Sequence, residues 1–199
     1  MDKLSYALGL SMAQNFMGTG IHSINADDFA AARKAVYNNE EKLMSFEEAK
    51  KVVTDYFTAL EEETKKNNAE AGKKFLEENA KDPAVKITES GLQYLVVKEG
   101  DGIKPKASDA VTVHYTGRLI DGTVFDSSEQ RGEPATFAVG QVIPGWVEGL
   151  QLMSEGSAYR FFIPSELAYG TYGTGPIQPN STLIFDVQLI KVQRSGDGK

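Results

Sequence analysis

The side chains that could do chemistry are thinly spread, and most familiar catalytic arrangements are missing. There is no Cys, which removes disulfides, thiolate metal ligands and thiol nucleophiles. The two histidines, His22 and His114, lack the short spacing of a metal motif. His22 falls in a turn-like stretch and His114 alternates against Val113 and Tyr115, so both read as surface positions. Gly170-Thr171-Tyr172-Gly173-Thr174-Gly175-Pro176 is glycine-rich without the Gly-Lys-Ser/Thr ending of a phosphate loop, and reads as a long, flexible flap. No Ser stands in a nucleophile motif with an acid/base partner. What remains is a run of aromatics: Tyr115, Phe125, Phe137, Trp146, Tyr159, Phe161, Phe162, Tyr169, Tyr172 and Phe185. Aromatics at strand spacing usually pack a core. Three have settings that point further. Trp146, the single Trp, follows Ile143-Pro144-Gly145; Tyr169 stands between Ala168 and Gly170 at the mouth of the flap; Phe125-Asp126 sets a carboxylate beside a large apolar group.

The elements that must position these residues change character along the chain. Leu4, Leu8, Met12 and Phe16 repeat at helical spacing, widened by Tyr6, Leu10, Ala13 and Met17, until Gly18 and Gly20 stop the helix. Asn25 can cap a second, short helix with Phe29, Ala32 and Val36 on its apolar face. Ser45 and Glu48 form an S-x-x-E capping box ahead of Ala49, Val52, Val53, Tyr56, Phe57 and Leu60. The run from Glu61 to Asn68 is polar all round, and apolar spacing resumes at Ala71, Phe75 and Leu76. A helix from Ser45 to Asn79 would run roughly 50 Å and bridge two bodies through solvent. Two helices joined by a loop at Asn67-Asn68 are the alternative. Lys81-Asp82-Pro83 ends the helical part.

Beyond Pro83 the period changes to two. Strands are expected over Leu92 to Val97, Ala110 to Leu119, Tyr159 to Ile163 and Thr182 to Val192. Asp121-Gly122 signals a type I′ hairpin. Ile143 to Met153 holds the one helical candidate of this half. The fold class is therefore α+β: a helical N-terminal part, then a curved antiparallel sheet folded over a short helix.

Bulk composition excludes several functions. In 199 residues, 41% are hydrophobic and 25% charged, an ordinary globular balance. A formal net charge of -7 without a basic cluster argues against a nucleic-acid partner. No stretch reaches the ~20 apolar residues of a membrane span. The N-terminus shows no basic-then-apolar leader pattern, so a cytoplasmic location is expected. The alternative is a periplasmic or exported protein whose leader has been removed.

Five short motifs stand in the order and spacing of one known family: Val113-His114-Tyr115-Thr116-Gly117, Asp121-Gly122-Thr123-Val124-Phe125-Asp126-Ser127-Ser128, Val142-Ile143-Pro144-Gly145-Trp146, Ala168-Tyr169-Gly170, and Thr182-Leu183-Ile184-Phe185-Asp186-Val187. Together they resemble the FKBP-type peptidyl-prolyl cis-trans isomerases. The stretch from Lys3-Leu4-Ser5-Tyr6-Ala7-Leu8-Gly9 onward is similar to the dimerisation region of bacterial Mip-like members. The resemblance implies residues 1–44 as a dimerisation module, 45–80 as a connecting helix, 81–83 as a junction and 84–199 as the isomerase domain.

It also implies a pocket with Trp146 as its floor and Tyr115, Phe125, Phe137, Val142, Ile143, Ile177 and Phe185 as walls. The Tyr169 hydroxyl and the Ile143 backbone N–H would bond substrate carbonyls, with Asp126 near the reacting imide. Ala135 follows Pro134 where many relatives carry Phe, which should widen one wall and alter affinity for macrolide inhibitors. No cofactor or metal is implied. The expected partners are proline-containing unfolded polypeptides, a second copy of the chain bound through the N-terminal helices, and macrolide inhibitors. A non-catalytic holdase chaperone is the competing reading, and a monomer with a packed three-helix cap is the competing assembly.

Overall fold

The computed structural model describes residues 1–195. It divides into two compact units, Met1–Leu60 and Glu61–Lys199. The first contains α1 (Lys3–Gly18), α2 (Ala26–Tyr37) and the start of α3 (Phe46–Asn79). Each helix begins where side-chain oxygens can satisfy its free N–H groups. Asp2 accepts from Ser5 N–H, Asn25 accepts from Asp27 and Asp28 N–H, and the Ser45–Glu48 box closes in both directions. Phe16 and Phe29 meet edge to face with centroids 5.9 Å apart. Yet α1 and α2 bury no residue.

α3 is one continuous helix, so the loop considered at Asn67-Asn68 does not form. Nor is its polar stretch solvated throughout, as a solvent bridge would require. Asn68 Nδ2 donates to the Pro179 carbonyl (2.8 Å), and the Lys65 carbonyl accepts from Asn180 Nδ2 (3.1 Å). The second half of α3 thus packs within the second unit. Gly72 makes this approach possible: a Cβ there would lie 2.3 Å from Thr182 Oγ1. Phe75 then packs on Phe162, and buried Gln93 is held by the Leu76 carbonyl and Asn79.

The second unit is a seven-stranded antiparallel sheet: β1 (Val85–Ile87), β2 (Gln93–Lys98), β3 (Ala110–Leu119), β4 (Val124–Ser127), β5 (Ala135–Ala138), β6 (Ala158–Ile163) and β7 (Leu183–Gln193). The order is β1-β2-β6-β7-β3-β4, with β5 also on β3. α4 (Ser128–Arg131) follows β4, and α5 (Pro144–Leu152) packs on the sheet through Trp146 and Leu150. Alternation gives β3 its inward Val111, Val113 and Tyr115. These join Leu92, Phe161, Ile163, Leu183, Phe185, Val187 and Leu189 in one core.

The β3–β4 hairpin corrects one expectation. A type I′ turn needs positive φ at both central residues, but only Gly122 has it (φ 88°). Gly122 N–H donates to the Leu119 carbonyl and Leu119 N–H to the Thr123 carbonyl. This is a type I turn closed by a left-handed glycine. The Asp121 side chain fixes it by accepting from Thr123 N–H (2.8 Å).

Candidate active site

Phe125 owes its place beside Phe185 to an irregularity in the β3–β4 pairing. Gly117 pairs with Asp126 but Arg118 with Val124, so Phe125 is the extra residue of a bulge. A Cβ on Gly117 would lie 2.6 Å from the Phe125 ring and 2.7 Å from that of Phe185. Glycine is required there by the two rings. They in turn meet edge to face at 5.5 Å.

Trp146 is placed by the Pro at the first position of α5, which fixes the entry into that helix. Its indole is 4% exposed and stands at the hub of the aromatic group. Tyr115 lies 5.3 Å away, Phe185 5.2 Å and Phe137 5.5 Å, all nearly perpendicular to it. Such edge-to-face contacts suit ring quadrupoles and lock the group as a unit. Among the described residues, Trp146 Nε1 is one of two buried side-chain polar atoms without a protein partner.

Above the indole opens a cavity of about 370 Å³ lined by Tyr115, Phe125, Asp126, Phe137, Gln141, Val142, Ile143, Trp146, Tyr169 and Phe185. The structure therefore gathers nine of the residues expected from the sequence. Ala135 and Ile177 are not among the lining residues. Ala135 packs against the core from β5, and Ile177 is buried at the root of the flap. Ile177 also makes a two-way backbone bridge with Thr174 at 2.8 Å, and Asn180 N–H donates to the Gly170 carbonyl. The flap is thus pinned at its base rather than loose along its length.

Asp126 is not a free carboxylate. The Tyr115 hydroxyl donates to it, the Arg131 guanidinium binds it, and Arg131 also donates to the Tyr115 oxygen at 2.9 Å. Burial works to raise the Asp126 pKa, but the bonds from Tyr115 and Arg131 outweigh it and hold the carboxyl below its ordinary 3.8. Burial, aided by Asp126, pushes the Tyr115 hydroxyl up. The Tyr169 hydroxyl also rises, by burial first and by the charge of Asp126 second. Both phenols therefore stay protonated near neutrality.

Sequence reasoning missed two residues here. Arg131 reaches the site only because α4 turns it back towards Asp126, and Gln141 enters from a short 3-10 turn before α5. His114, expected at the surface, is half-buried with Nδ1 3.1 Å from Ser128 Oγ. Buried Ser128 accepts from Tyr115 N–H at 2.8 Å and so ties α4 to β3. The bonding partner lies fourteen residues away, beyond the reach of local patterning.

Comparison with known proteins decides the assignment. A family model described as FKBP-type peptidyl-prolyl cis-trans isomerase matches residues 101–190, and one described as the domain amino terminal to that isomerase matches residues 1–96. The FKBP-type peptidyl-prolyl cis-trans isomerase FkpA of Aeromonas hydrophila is 46% identical over 99% of this chain and 78% of its own. The chain belongs to the FKBP-type peptidyl-prolyl cis-trans isomerases. The outer membrane protein MIP of Legionella longbeachae is 45% identical over 98% of this isomerase and 86% of its own length. The crystal structure of FkpA from Escherichia coli matches with a TM-score of 0.81 and 38% identity, covering 97% of this isomerase and 96% of that chain. The α+β class read from the sequence is that of this relative. No helix among the described residues is long and apolar enough to cross a membrane.

Proposed function

We propose that the isomerase turns X-Pro bonds by seating the proline ring on Trp146, with the walls supplied by Tyr115, Phe125, Phe137, Val142 and Phe185. The observation that carries this reading is the cavity itself: an aromatic enclosure in which the Tyr115 hydroxyl is tied to Asp126 and Arg131 and Tyr169 brings a second hydroxyl. Rotation about the bond costs ~18–20 kcal/mol because amide resonance must be broken. The planar imide is more polar than the twisted one, so water favours the ground state. An apolar enclosure withdraws that solvation, and donors held in place can bond the carbonyls of the twisted form. Tyr169 is one donor and the Ile143 backbone N–H, at the start of α5, is the other. Each ~1.36 kcal/mol of preference for the twisted form gives about tenfold in rate. Asp126, with each oxygen already bonded by Tyr115 or Arg131, orients the wall rather than meeting the substrate. Macrolide inhibitors would enter the same cavity. Ala135 and Ile177 contribute by packing behind it.

Tyr169→Phe keeps the ring and removes the hydroxyl. A protease-coupled proline-tetrapeptide assay should show kcat/KM lowered ~2–13-fold, the range of a neutral hydrogen bond worth ~0.5–1.5 kcal/mol. Unchanged turnover would remove Tyr169 from the mechanism.

The same reading covers assembly and location. A symmetric homodimer through residues 1–44, with chaperone activity towards unfolded chains, is supported by the matched N-terminal domain family and by the exposed apolar side chains of α1. In this arrangement residues 45–80 connect the module to an isomerase domain at 84–199. A location outside the cytoplasm is favoured over the cytoplasmic one expected from the sequence, because a relative of 45% identity is named an outer membrane protein.

A further inference from the structure

A second and larger cavity, about 680 Å³, lies in the same unit as the aromatic one and shares no lining residue with it. Its floor and walls come from Ala69 and Leu76 on α3, Ile87 on β1 and Pro164 after β6. Ile87 is 54% exposed, and β1 is the terminal strand of the sheet. A terminal strand offers backbone groups that an extended chain can pair with. The charge around the groove is unbalanced. The carboxylates of Glu77 and Glu166 stand against the single ammonium of Lys73, which already lies 3.9 Å from Glu77. At the far end Ser90 donates to the Glu148 carboxylate at 2.5 Å, adding another negative group.

The groove is coupled to the aromatic cavity through one small knot. Ser165 and Asn180 line the groove. The Ser165 carbonyl accepts from both Ala168 N–H (3.0 Å) and Gly170 N–H (2.9 Å), and Asn180 N–H donates to the Gly170 carbonyl (2.8 Å). Between Ala168 and Gly170 stands Tyr169, which lines the aromatic cavity. The stretch 165–170 thus borders both cavities, and an extended polypeptide passing it gains roughly 3.3–3.6 Å per residue.

We propose that this groove is a second substrate site, taking an extended, positively charged segment of the same polypeptide whose proline occupies the cavity over Trp146. The proposal rests on the prolyl-isomerase reading of that cavity. It identifies the occupant by three features: an unpaired strand edge for backbone, an apolar floor for side chains, and a carboxylate rim for Lys or Arg. Substrates long enough to reach the groove gain affinity there, and tetrapeptides do not.

The test uses the full chain and three proline peptides: a tetrapeptide, and the same tetrapeptide extended by six residues on each side with Lys-rich or Glu-rich flanks. Wild type should turn over the Lys-flanked peptide with kcat/KM ~3–10-fold above the tetrapeptide, chiefly through KM. Ala69→Trp, which fills the groove, and Glu166→Lys, which reverses its rim, should each abolish that gain while leaving tetrapeptide turnover unchanged. A Lys-rich peptide without proline should compete with the long substrate and not with the tetrapeptide. Equal turnover of all three peptides by wild type would overturn the proposal while leaving the isomerase reading intact. So would variants that slow tetrapeptide and long peptide alike, because the groove would then act only through the fold. An enhancement for Glu-rich flanks equal to that for Lys-rich ones would overturn the assigned charge preference. A lowered tetrapeptide kcat/KM in Tyr169→Phe tests the cavity reading separately.

Discussion

Both units carry apolar stripes, at helical spacing in one and mainly at strand spacing in the other, but they bury them to very different degrees. In Met1–Leu60 the stripe of α1 stays open: Leu4 is 69% exposed, Leu8 53% and Leu10 58%. In the second unit Leu92, Leu150, Phe161, Leu183 and Leu189 are wholly buried. One unit closes a core from its own elements, whereas the other has helices whose apolar faces find little to cover them within the chain. A stripe at helical spacing therefore marks a face suited to burial, and does not place the covering surface in the same molecule. The largest effects should come from attacking each unit where it depends on apolar contact. Leu8→Glu should abolish the proposed dimer, weakening association by ~100-fold or more in sedimentation while tetrapeptide turnover holds. A wild-type chain that sediments as a monomer at all concentrations would break the comparison outright.

In the second unit the equivalent attack is on Trp146. Removing the indole deletes the hub that three aromatic rings share, and truncations of this kind cost ~3–5 kcal/mol. Trp146→Ala should lower the urea midpoint, followed by far-UV circular dichroism, and reduce kcat/KM by at least ~100-fold. The proposed dimer should survive it. If stability falls but turnover does not, the rings serve packing alone.

This contrast also explains what could be read in the sequence. Period and capping placed α1, α2 and β3 almost to the residue, because those signals are local: Asn25 caps α2 and Gly18 ends α1. The aromatic cavity was legible because its residues sit in short motifs, each with its own turn or helix start. What escaped was set by contacts distant in sequence. Asn68, polar and seemingly solvated, bonds to Pro179, 111 residues away. Arg131 needed the turn of α4 to become a partner of Tyr115 and Asp126. Ile177 and Ala135 stand outside the lining: one roots the flap, and the other pairs with Val113 in the sheet beside β3.

Glycines inside helices give a sharper form of the same comparison, with a smaller effect. Gly72 is buried and a Cβ there would strike Thr182, whereas a Cβ on Gly9 in α1 would meet nothing within 4 Å. Gly72→Ala should therefore destabilise the second unit by ~1–3 kcal/mol, despite the better helix propensity of Ala. Gly9→Ala should have the opposite sign and a magnitude of ~1 kcal/mol or less. Thermal unfolding of both variants checks this. A destabilising Gly9→Ala would show that α1 is approached closely at that point, as a tight dimer seam would require.

The smallest effect concerns acid. Asp109 is 3% exposed at the start of β3, and it ties down the chain after β7. It accepts from Lys106 N–H (2.8 Å) and Ser195 N–H (3.1 Å), and Arg194 donates to it at 2.6 Å. The two backbone bonds, then Arg194, hold its carboxyl at about 2 against an ordinary 3.8. Above pH 3.8 the group is ionised in folded and unfolded chains alike, and its full stabilisation is present. As pH falls towards 2 the unfolded chain takes up the proton first, so this stabilisation is lost across that window. Asp109→Asn should be less stable than wild type at neutral pH, and its stability should fall less steeply between pH 4 and 2. Trp146 is the single Trp and reports the core directly, so urea midpoints read by its fluorescence at intervals from pH 7 to 2 measure both slopes. Because Asp126 is also held below its ordinary value, some acid sensitivity should persist in the variant. Parallel curves for the two proteins would mean that the Asp109 clamp opens before its carboxylate is protonated. In that case the C-terminal strand is secured by its ladder with β3 and β6 alone.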